Sequence, residues 1–238
     1  MGYLIELHCH SSEVSRCSAV SGAKLAEIYK AKNYHAITIM DHYARDWFEN
    51  LGDISHEDKI NIFLSGYKNA SKRGREIGLG VILGMEIRFR ENANDYLVFG
   101  LDEQFLYDNP ELYNYNAHKF SEIARANGLL FIQAHPFRTW MTIINHDYLD
   151  GLEIYNAHPW HNSRNNLAEL LYQEQRAKRP FIPVVGSDCH ELTHEARAGI
   201  ISDTLPDNSA ELADLLRSQN YRMYKFDGEL NRQEIIIE

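Results

Sequence analysis

Cysteine is scarce in this chain: Cys9, Cys17 and Cys189 are the only three among 238 residues. Three thiols do not make a disulfide framework, and such usage fits a reducing cytosol. No apolar run is long enough to span a bilayer. The chain opens Met-Gly-Tyr-Leu-Ile-Glu-Leu-His, without a basic stretch leading into an apolar core, so no signal peptide is expected. A cytoplasmic protein with no membrane partner follows as the expectation. Positive charge is also short: 24 lysines and arginines face 34 acidic residues, a net charge of −10. That balance disfavours a binder of long nucleic acid, whose affinity rests on neutralising phosphates over a broad basic surface. It leaves room for a small phosphorylated substrate, because bound cations reverse the local field. No linker, internal repeat or low-complexity segment divides the chain. No Ser-His-Asp or Cys-His arrangement offers a nucleophile, and Ser187 lacks a nucleophile-elbow context. The oligomeric state is not legible.

What is present is enough apolar material, 44% of residues, to bury a substantial core. Apolar, β-branched runs alternate with helical patterns. Strands are expected over Tyr3–Leu7, Ala36–Met40, Leu79–Ile87, Asp95–Leu101, Leu129–Ala134, Gly151–Tyr155 and Phe181–Gly186. Helices are expected over Ala23–Lys32, Glu57–Ile77, Ala117–Asn127 with Gly128 as its stop, Arg164–Lys178 and Ala210–Gln219. The tail Leu230–Glu238 reads as a strand or a partner contact. Such alternation points to an α/β protein with parallel strands covered by helices, closed or open, as one domain over residues 1–238.

Two triplets mirror each other across this order, His8-Cys-His10 and Asp188-Cys-His190. Residues i and i+2 of a strand point to the same side, so each triplet presents two metal-ligand types together and turns its central cysteine away. Between them come Asp41-His42, Glu86, Asp95 and His135, each at or just after an apolar run. In α/β folds the active site lies at the C-terminal ends of the strands, where most of these residues fall. Any single histidine is more often a hydrogen-bonded structural group; the joint placement is what argues for metal. Imidazole with carboxylate suits Zn, Mn or Fe, and a carboxylate such as Glu86 can bridge two cations about 4 Å apart. Pro136 is expected to fix an extended backbone at His135.

The segments His8-Cys-His10-Ser-Ser, Ile39-Met-Asp41-His42, Gly84-Met-Glu86, Ala134-His135-Pro136 and Gly186-Ser-Asp188-Cys-His190 resemble, in order, the motifs of the polymerase and histidinol phosphatase (PHP) family. The resemblance runs from residue 6 to about residue 190. It implies a distorted (β/α)7 barrel, two or three divalent transition-metal ions, and phosphoesterase chemistry. Carried over residue by residue, His8, His10, Glu86 and Asp188 would hold one metal. Glu86 and His135 would hold a second, and His42 and His190 a third. Gly151-Leu-Glu153-Ile-Tyr155-Asn156 would be the sixth-strand segment, with Asn156 near the site.

Two positions depart from the family pattern. Arg16 stands where an Asp or His is common, and arginine is not a metal ligand. Either the third metal is weak or missing, or Arg16 binds substrate phosphate near His42 and His190. After Glu86, a histidine ligand is missing; Asp95 is the candidate replacement, against a turn-capping role. His118 is the other contender but shares a helix face with Glu122 and Arg125, so it reads as exposed. Arg138 is a candidate phosphate clamp and His158 a candidate wall of the substrate pocket, each against a plain loop role. Arg88 and Arg90 point to the Glu86 side or pair with an acidic neighbour. His35, His56, His146 and His194 read as surface.

The chemistry implied is hydrolysis of a phosphate ester by metal-activated water, with His190 or Asp41 moving protons. Asp41 is equally suited to orienting a ligand histidine. Two rivals stand: an amidohydrolase-like metal-dependent hydrolase, although no lysine falls at a strand end, and a barrel that binds metal and ligand without turnover.

Overall fold

The computed structural model describes residues 2–226 and 231–236. Its strands form two six-stranded sheets. The first runs β12-β11-β10-β1-β2-β4, with β1 Tyr3–Cys9, β2 Ala36–Ile39, β4 Gly80–Leu83, β10 Ala198–Ser202, β11 Tyr221–Phe226 and β12 Arg232–Ile235. The second runs β3-β5-β6-β7-β8-β9, with β3 His42–Ala44, β5 Met85–Arg88, β6 Asp95–Phe99, β7 Leu130–Gln133, β8 Gly151–Asn156 and β9 Ile182–Gly186. The mixed α/β class is as the alternating pattern implies. The closed seven-stranded barrel is not formed by these ladders among the described residues. One reason is visible in β1. Its first half, Tyr3–Ile5, pairs antiparallel with β10, so only Cys9 at its end reaches Cys189 beyond β9, through an isolated parallel bridge. The antiparallel pairings of β5 with β6 and of β6 with β7 also break a uniform βα repeat.

One expected strand changes sheets along its length, and another ends where the chain does so. The run Ala36–Met40 ends as β2 before Asp41, and the chain re-forms as β3 in the second sheet. The run Leu79–Ile87 breaks at Gly84, between β4 and β5. A side chain there would put its Cβ 2.4 Å from Met40 Sδ. These shifts carry Asp41, His42 and Glu86 across the junction of the sheets.

The expected long helix Glu57–Ile77 is two helices, α3 His56–Phe63 and α4 Ser65–Ile77, hinged at Leu64. Ser55 caps α3 by accepting from the Asp58 amide, and Gly78 ends α4 at φ 69°. Helix α1, Gly22–Ala31, begins at the Ser21 cap and crosses α4 at a glycine contact. A Cβ on Gly22 would lie 2.2 Å from the Gly66 carbonyl oxygen, so the two backbones touch. Helices α6 Ala117–Ala126, α7 Asn165–Arg176 and α8 Ser209–Ser218 lie within a residue or two of expectation, and Gly128 follows α6 with φ 67°. Short helices α2 Arg45–Asn50 and α5 Glu103–Asp108 have no counterpart in the sequence pattern. Part of the tail is the strand β12; Leu230, Ile237 and Glu238 lie outside the described residues.

The larger core cluster packs side chains such as Tyr96, Val98, Phe131, Phe120 and Val184 against the second sheet. A smaller one, with Leu25, Ala26, Tyr29, Ile37 and Ala70, lies beneath α1 and α4. No helix among the described residues is long and apolar enough to cross a membrane.

Backbone contact is closest at Gly151, where β8 meets β9: a Cβ would lie 2.0 Å from the Ile182 carbonyl oxygen. Backbone cannot yield there as a side chain would. Gly151→Ala is expected to cost about 1–3 kcal/mol of stability, read as a lower urea midpoint with an unchanged slope.

Candidate metal centre

His8 and His10 leave the end of β1 on one side and are fully buried. Their Nε2 atoms approach to 3.0 Å. Asp188 follows β9 and brings Oδ1 to 3.2 Å from His10 Nε2 and 3.5 Å from His8 Nε2. Glu86, on β5, places Oε1 3.3 Å from His8 Nε2 and 3.2 Å from His135 Nε2. Its Oε2 lies 2.7 Å from His42 Nδ1 and 3.6 Å from His10 Nε2. The pairing of β3 with β5 sets His42 directly opposite Glu86. The triplet alternation holds too: Cys9 and Cys189 are buried in the smaller core, facing away.

Three sets bring ligand atoms within 4.8 Å of one another: His8, His10 and Asp188; His10, His42 and His190; and His42, Glu86 and Asp95. Seven of the eight residues the sequence singles out as ligands are thus in these sets, and His135 touches Glu86. The donors fit divalent cations. Glu86 is 1% exposed and its Oε2 has the His42 imidazole as its nearest partner, while the buried Nδ1 of His135 makes no hydrogen bond. Buried polar atoms normally find partners.

Electrostatics supports the same fit. Burial works to raise the pKa of Glu86, but His42 and His8 outweigh it and hold the carboxyl well below its ordinary range. Asp188 is likewise held well below, by His8, His10 and Arg138 against burial. His10 is pushed well below the usual histidine value by burial, His190 and His42. Against burial, Glu153 holds His8 and Glu86 holds His42 well above the usual histidine value, so a cation, which needs ionised carboxylates and neutral imidazoles, would displace a proton from each of these two rings.

Residues behind the cluster fix it in place. Glu153, on β8, is buried and accepts from His8 Nδ1 at 2.8 Å, from the His135 amide at 2.9 Å and from Asn156 Nδ2 at 3.0 Å. It therefore turns His8 Nε2 toward the cluster, as the carboxylate behind a metal-binding histidine does. Asn156 is near the site as expected, donating also to Asp188 Oδ2 at 3.1 Å. Glu6 accepts from the Ser187 hydroxyl and from the Ser187 and His8 amides. Asp41 accepts from Ser11 Oγ and Ser15 Oγ, and Ser15 Oγ stands 3.4 Å from His10 Nδ1. Asp41 is thus enclosed below His10 and does not line the mouth.

The mouth is a cavity of about 310 Å³ lined in part by Arg88, Asp95, His135, Arg138, His158, Asp188 and His190. Arg138 Nη2 binds Asp188 Oδ2 at 2.6 Å and Asn156 Oδ1 at 2.8 Å. His158 is buried, and its pKa is driven down to about 3, first by burial. Arg88 grips both Asp95 oxygens at 2.7 Å, because β5 and β6 pair these residues across the ladder. Asp95 is therefore at the cluster but already neutralised by arginine. A wider groove of about 910 Å³ beside β11 and α8 holds none of these groups.

Several expectations change. His135 is not extended: its φ is 26°, and Asp188 is also left-handed at φ 51°. His194 is not a surface group; it is buried against Trp160 and His158, with ring centroids 4.3 and 4.6 Å away. His118 is exposed, as its helix face implies. Arg16 is exposed and lines an adjoining cavity that it shares with His42, not the mouth. The ring packed against both His42 and His190 is His10, with centroids 4.4 and 4.3 Å away, and Cys17, exposed, lines the same cavity as those two. Desolvation works to raise its pKa, but the contacts with His190 and His42 pull it down to about 6. The sequence signal for Cys17 was its place in the loop after the first strand; Glu153 carried none beyond a carboxylate within an apolar run.

The PHP domain family model matches residues 6–225, so the chain belongs to the PHP family. No curated protein matches it. Among solved structures it is similar to a two-domain protein from Bacteroides vulgatus containing a predicted PHP-like metal-dependent phosphoesterase (12% identity, TM-score 0.63, 94% of this chain and 65% of that one). It is similar as well to a lesion-specific endonuclease from Pyrococcus furiosus (16%, TM-score 0.64, 97% and 60%). A third likeness is to an amidohydrolase from Chromobacterium violaceum with bound sulfate (12%, TM-score 0.57, 91% and 96%). The chain thus spans under two thirds of the first two. At 12–16% identity these likenesses show that the fold is shared.

If Glu153 sets the basicity and aim of His8, Glu153→Gln should weaken metal binding by about 10- to 100-fold. Calorimetric titration of chelator-treated protein with Zn²⁺ reads this, and unchanged affinity would remove Glu153 from the support of the site.

Proposed function

We propose that the chain hydrolyses esters of phosphate on small substrates, using two or three divalent transition-metal ions (Mn, Zn or Fe). The observation that carries this reading is the convergence of His8, His10, Glu86, Asp188, His42, His135 and His190 on one cavity that arginine also lines. The first metal would be held by His8, His10, Glu86 and Asp188, the second by Glu86 and His135 with Asp95 beside them, the third by His42 and His190. When bound, such cations supply an activated water near neutral pH and neutralise developing charge on phosphate and leaving oxygen.

The chain's own groups do the rest. Arg138 faces the mouth from its anchor on Asp188 and would bind phosphate oxygens there. His158, neutral over the working range, would form an uncharged wall of the pocket. His190 faces the cavity and is the better placed of the two proton carriers. Asp41, with its oxygens taken by Ser11 and Ser15, would position His10 through Ser15. Arg16, from the adjoining cavity, would reach only the distal part of a bound substrate. We read the two sheets, joined at Cys9 and Cys189, as a distorted (β/α)7 barrel of one domain in a cytoplasmic protein.

The net charge of −10 and the small mouth support a small phosphorylated substrate over a long nucleic acid. The likeness to a lesion-specific endonuclease makes a nucleic-acid strand the second reading. Turnover of phosphorylated metabolites, short oligonucleotides and an amide substrate with added Mn²⁺ separates these readings from an amidohydrolase.

Elemental analysis of protein purified without chelator should show two or more transition-metal ions per chain. Glu86→Gln should lower that content and abolish phosphatase turnover together, with the fold retained by circular dichroism; a fully active variant would overturn the bridging role.

A further inference from the structure

The mouth is divided by chemistry. One part is lined by His42, His135, Asp188, His190 and Arg138, the groups that would hold cations and phosphate. The other includes Met141 and Trp160, the only large apolar side chains that line it among the described residues. Trp160 is 66% exposed, but exposure alone decides nothing, since Trp140 is 81% exposed and lies outside this cavity. What sets Trp160 apart is how firmly it is tied to the site. Its amide donates to His158 Nδ1 at 3.2 Å, the His158 amide donates to Asn156 Oδ1 at 3.1 Å, and Asn156 Nδ2 donates to Asp188 Oδ2 at 3.1 Å. The indole packs at 87° against buried His194, with centroids 4.3 Å apart, and His194 packs in turn on His158 at 4.6 Å. Neither ring nitrogen of His194 has a hydrogen-bond partner among the described residues, so the imidazole serves there as a packing ring. Met141 is held as well. Its amide donates to the Arg138 carbonyl at 3.0 Å, and Thr142 beside it exchanges bonds with Asn94 at 2.7 and 2.8 Å. A flat indole and a thioether are thus fixed in one cavity with the phosphate-binding groups.

We propose that Trp160, with Met141, is the platform for the leaving group of the substrate, and that this group carries a planar aromatic ring, a nucleobase or an aryl group. The assignment rests on the phosphoesterase reading above and names the class of ester; the hydrolytic step is unchanged. A cavity of about 310 Å³ is small enough for one molecule to meet the phosphate-binding groups and Trp160 together. Paired aromatic rings gain more than the area they bury provides, and a thioether adds favourable contacts to a ring. An aliphatic group of the same size would bury similar area without these gains. His194 is a positioning residue: it touches no substrate and holds the indole in place.

The test titrates the full, metal-loaded chain calorimetrically with two phosphonates that cannot be hydrolysed, one bearing a phenylethyl group and the other a cyclohexylethyl group. The wild type should bind the phenyl compound about 2- to 12-fold more tightly, although it is the less hydrophobic of the two. Trp160→Ala should weaken the phenyl compound by about 5- to 150-fold and bring the two affinities together, while Trp160→Phe keeps most of the preference. His194→Ala should lower the preference and His194→Phe restore it. Turnover of the matching phenylethyl and cyclohexylethyl phosphates, whose leaving alcohols are alike in acidity, should show the loss in KM more than in kcat. A nucleoside monophosphate set against ribose phosphate forms a second pair, and the pair with the larger Trp160-dependent ratio tells nucleobase from aryl group. Equal affinities in the wild type, a preference that survives Trp160→Ala, or no binding of either phosphonate would overturn the platform, and turnover of phosphate esters would then support the hydrolytic reading alone. A preference that Trp160→Ala removes, in a protein that hydrolyses no phosphate ester, would leave the platform standing and overturn the hydrolytic reading.

Discussion

Buried negative charge governs this molecule. Glu6, Asp41, Glu86, Asp95, Glu153 and Asp188 are each at most 2% exposed, and all lie at the end of the fold where the sheets meet. An ionised carboxylate out of water is tolerable only with partners. The outer members are answered by neutral donors. Glu6 takes hydroxyl and amide hydrogens, and burial still lifts its pKa to about 7. Asp41 takes two serine hydroxyls and is lifted to about 6 for the same reason. The inner members, Glu86 and Asp188, are faced by imidazoles, with Arg138 and the Asn156 amide added at Asp188. That shortfall of positive charge is the physical case for cations, and it would exist whatever the substrate.

The same constraint explains why the neighbouring strands bend as they do. Asp41, His42 and Glu86 sit where β2 gives way to β3 and β4 to β5. A straight strand would keep them in the first sheet. Crossing at Asp41 and Gly84 instead sets His42 opposite Glu86 and lets the Glu86 amide donate to the Asp41 carbonyl at 3.1 Å. The site is built at a seam between sheets, with backbone as well as side chains closing it.

Much of this was readable in the residues. The i, i+2 triplets, the strand-end placement and the family motifs led to His8, His10, His42, Glu86, His135, Asp188 and His190, which the fold brings together. What stayed hidden depends on distance along the chain. Glu153 shows its purpose only beside His8, 145 positions away. Strand crossings leave no mark in an apolar run, because both sheets bury the same residue types. The strands β10 and β11 were not recognised, although their pairing with β1 explains why no ladder closes. Cys17 escaped because alternation accounts for Cys9 and Cys189 but says nothing of a cysteine in a loop.

Left-handed backbone at His135 and Asp188 carries one more consequence. Neither residue is glycine, and each such conformation costs of the order of 1–3 kcal/mol. Six other non-glycine residues among those described share a positive φ, Arg164 and Gln219 at helix ends among them, but His135 and Asp188 belong to the cluster, so part of this cost falls where cations would bind. Glycine at either position would relieve it and, at 188, would also remove a buried charge. Selection for heat resistance alone would therefore act on the centre as well as on those turns, and a thermostabilised descendant that keeps these two residues would be one in which function, not folding, was still being screened.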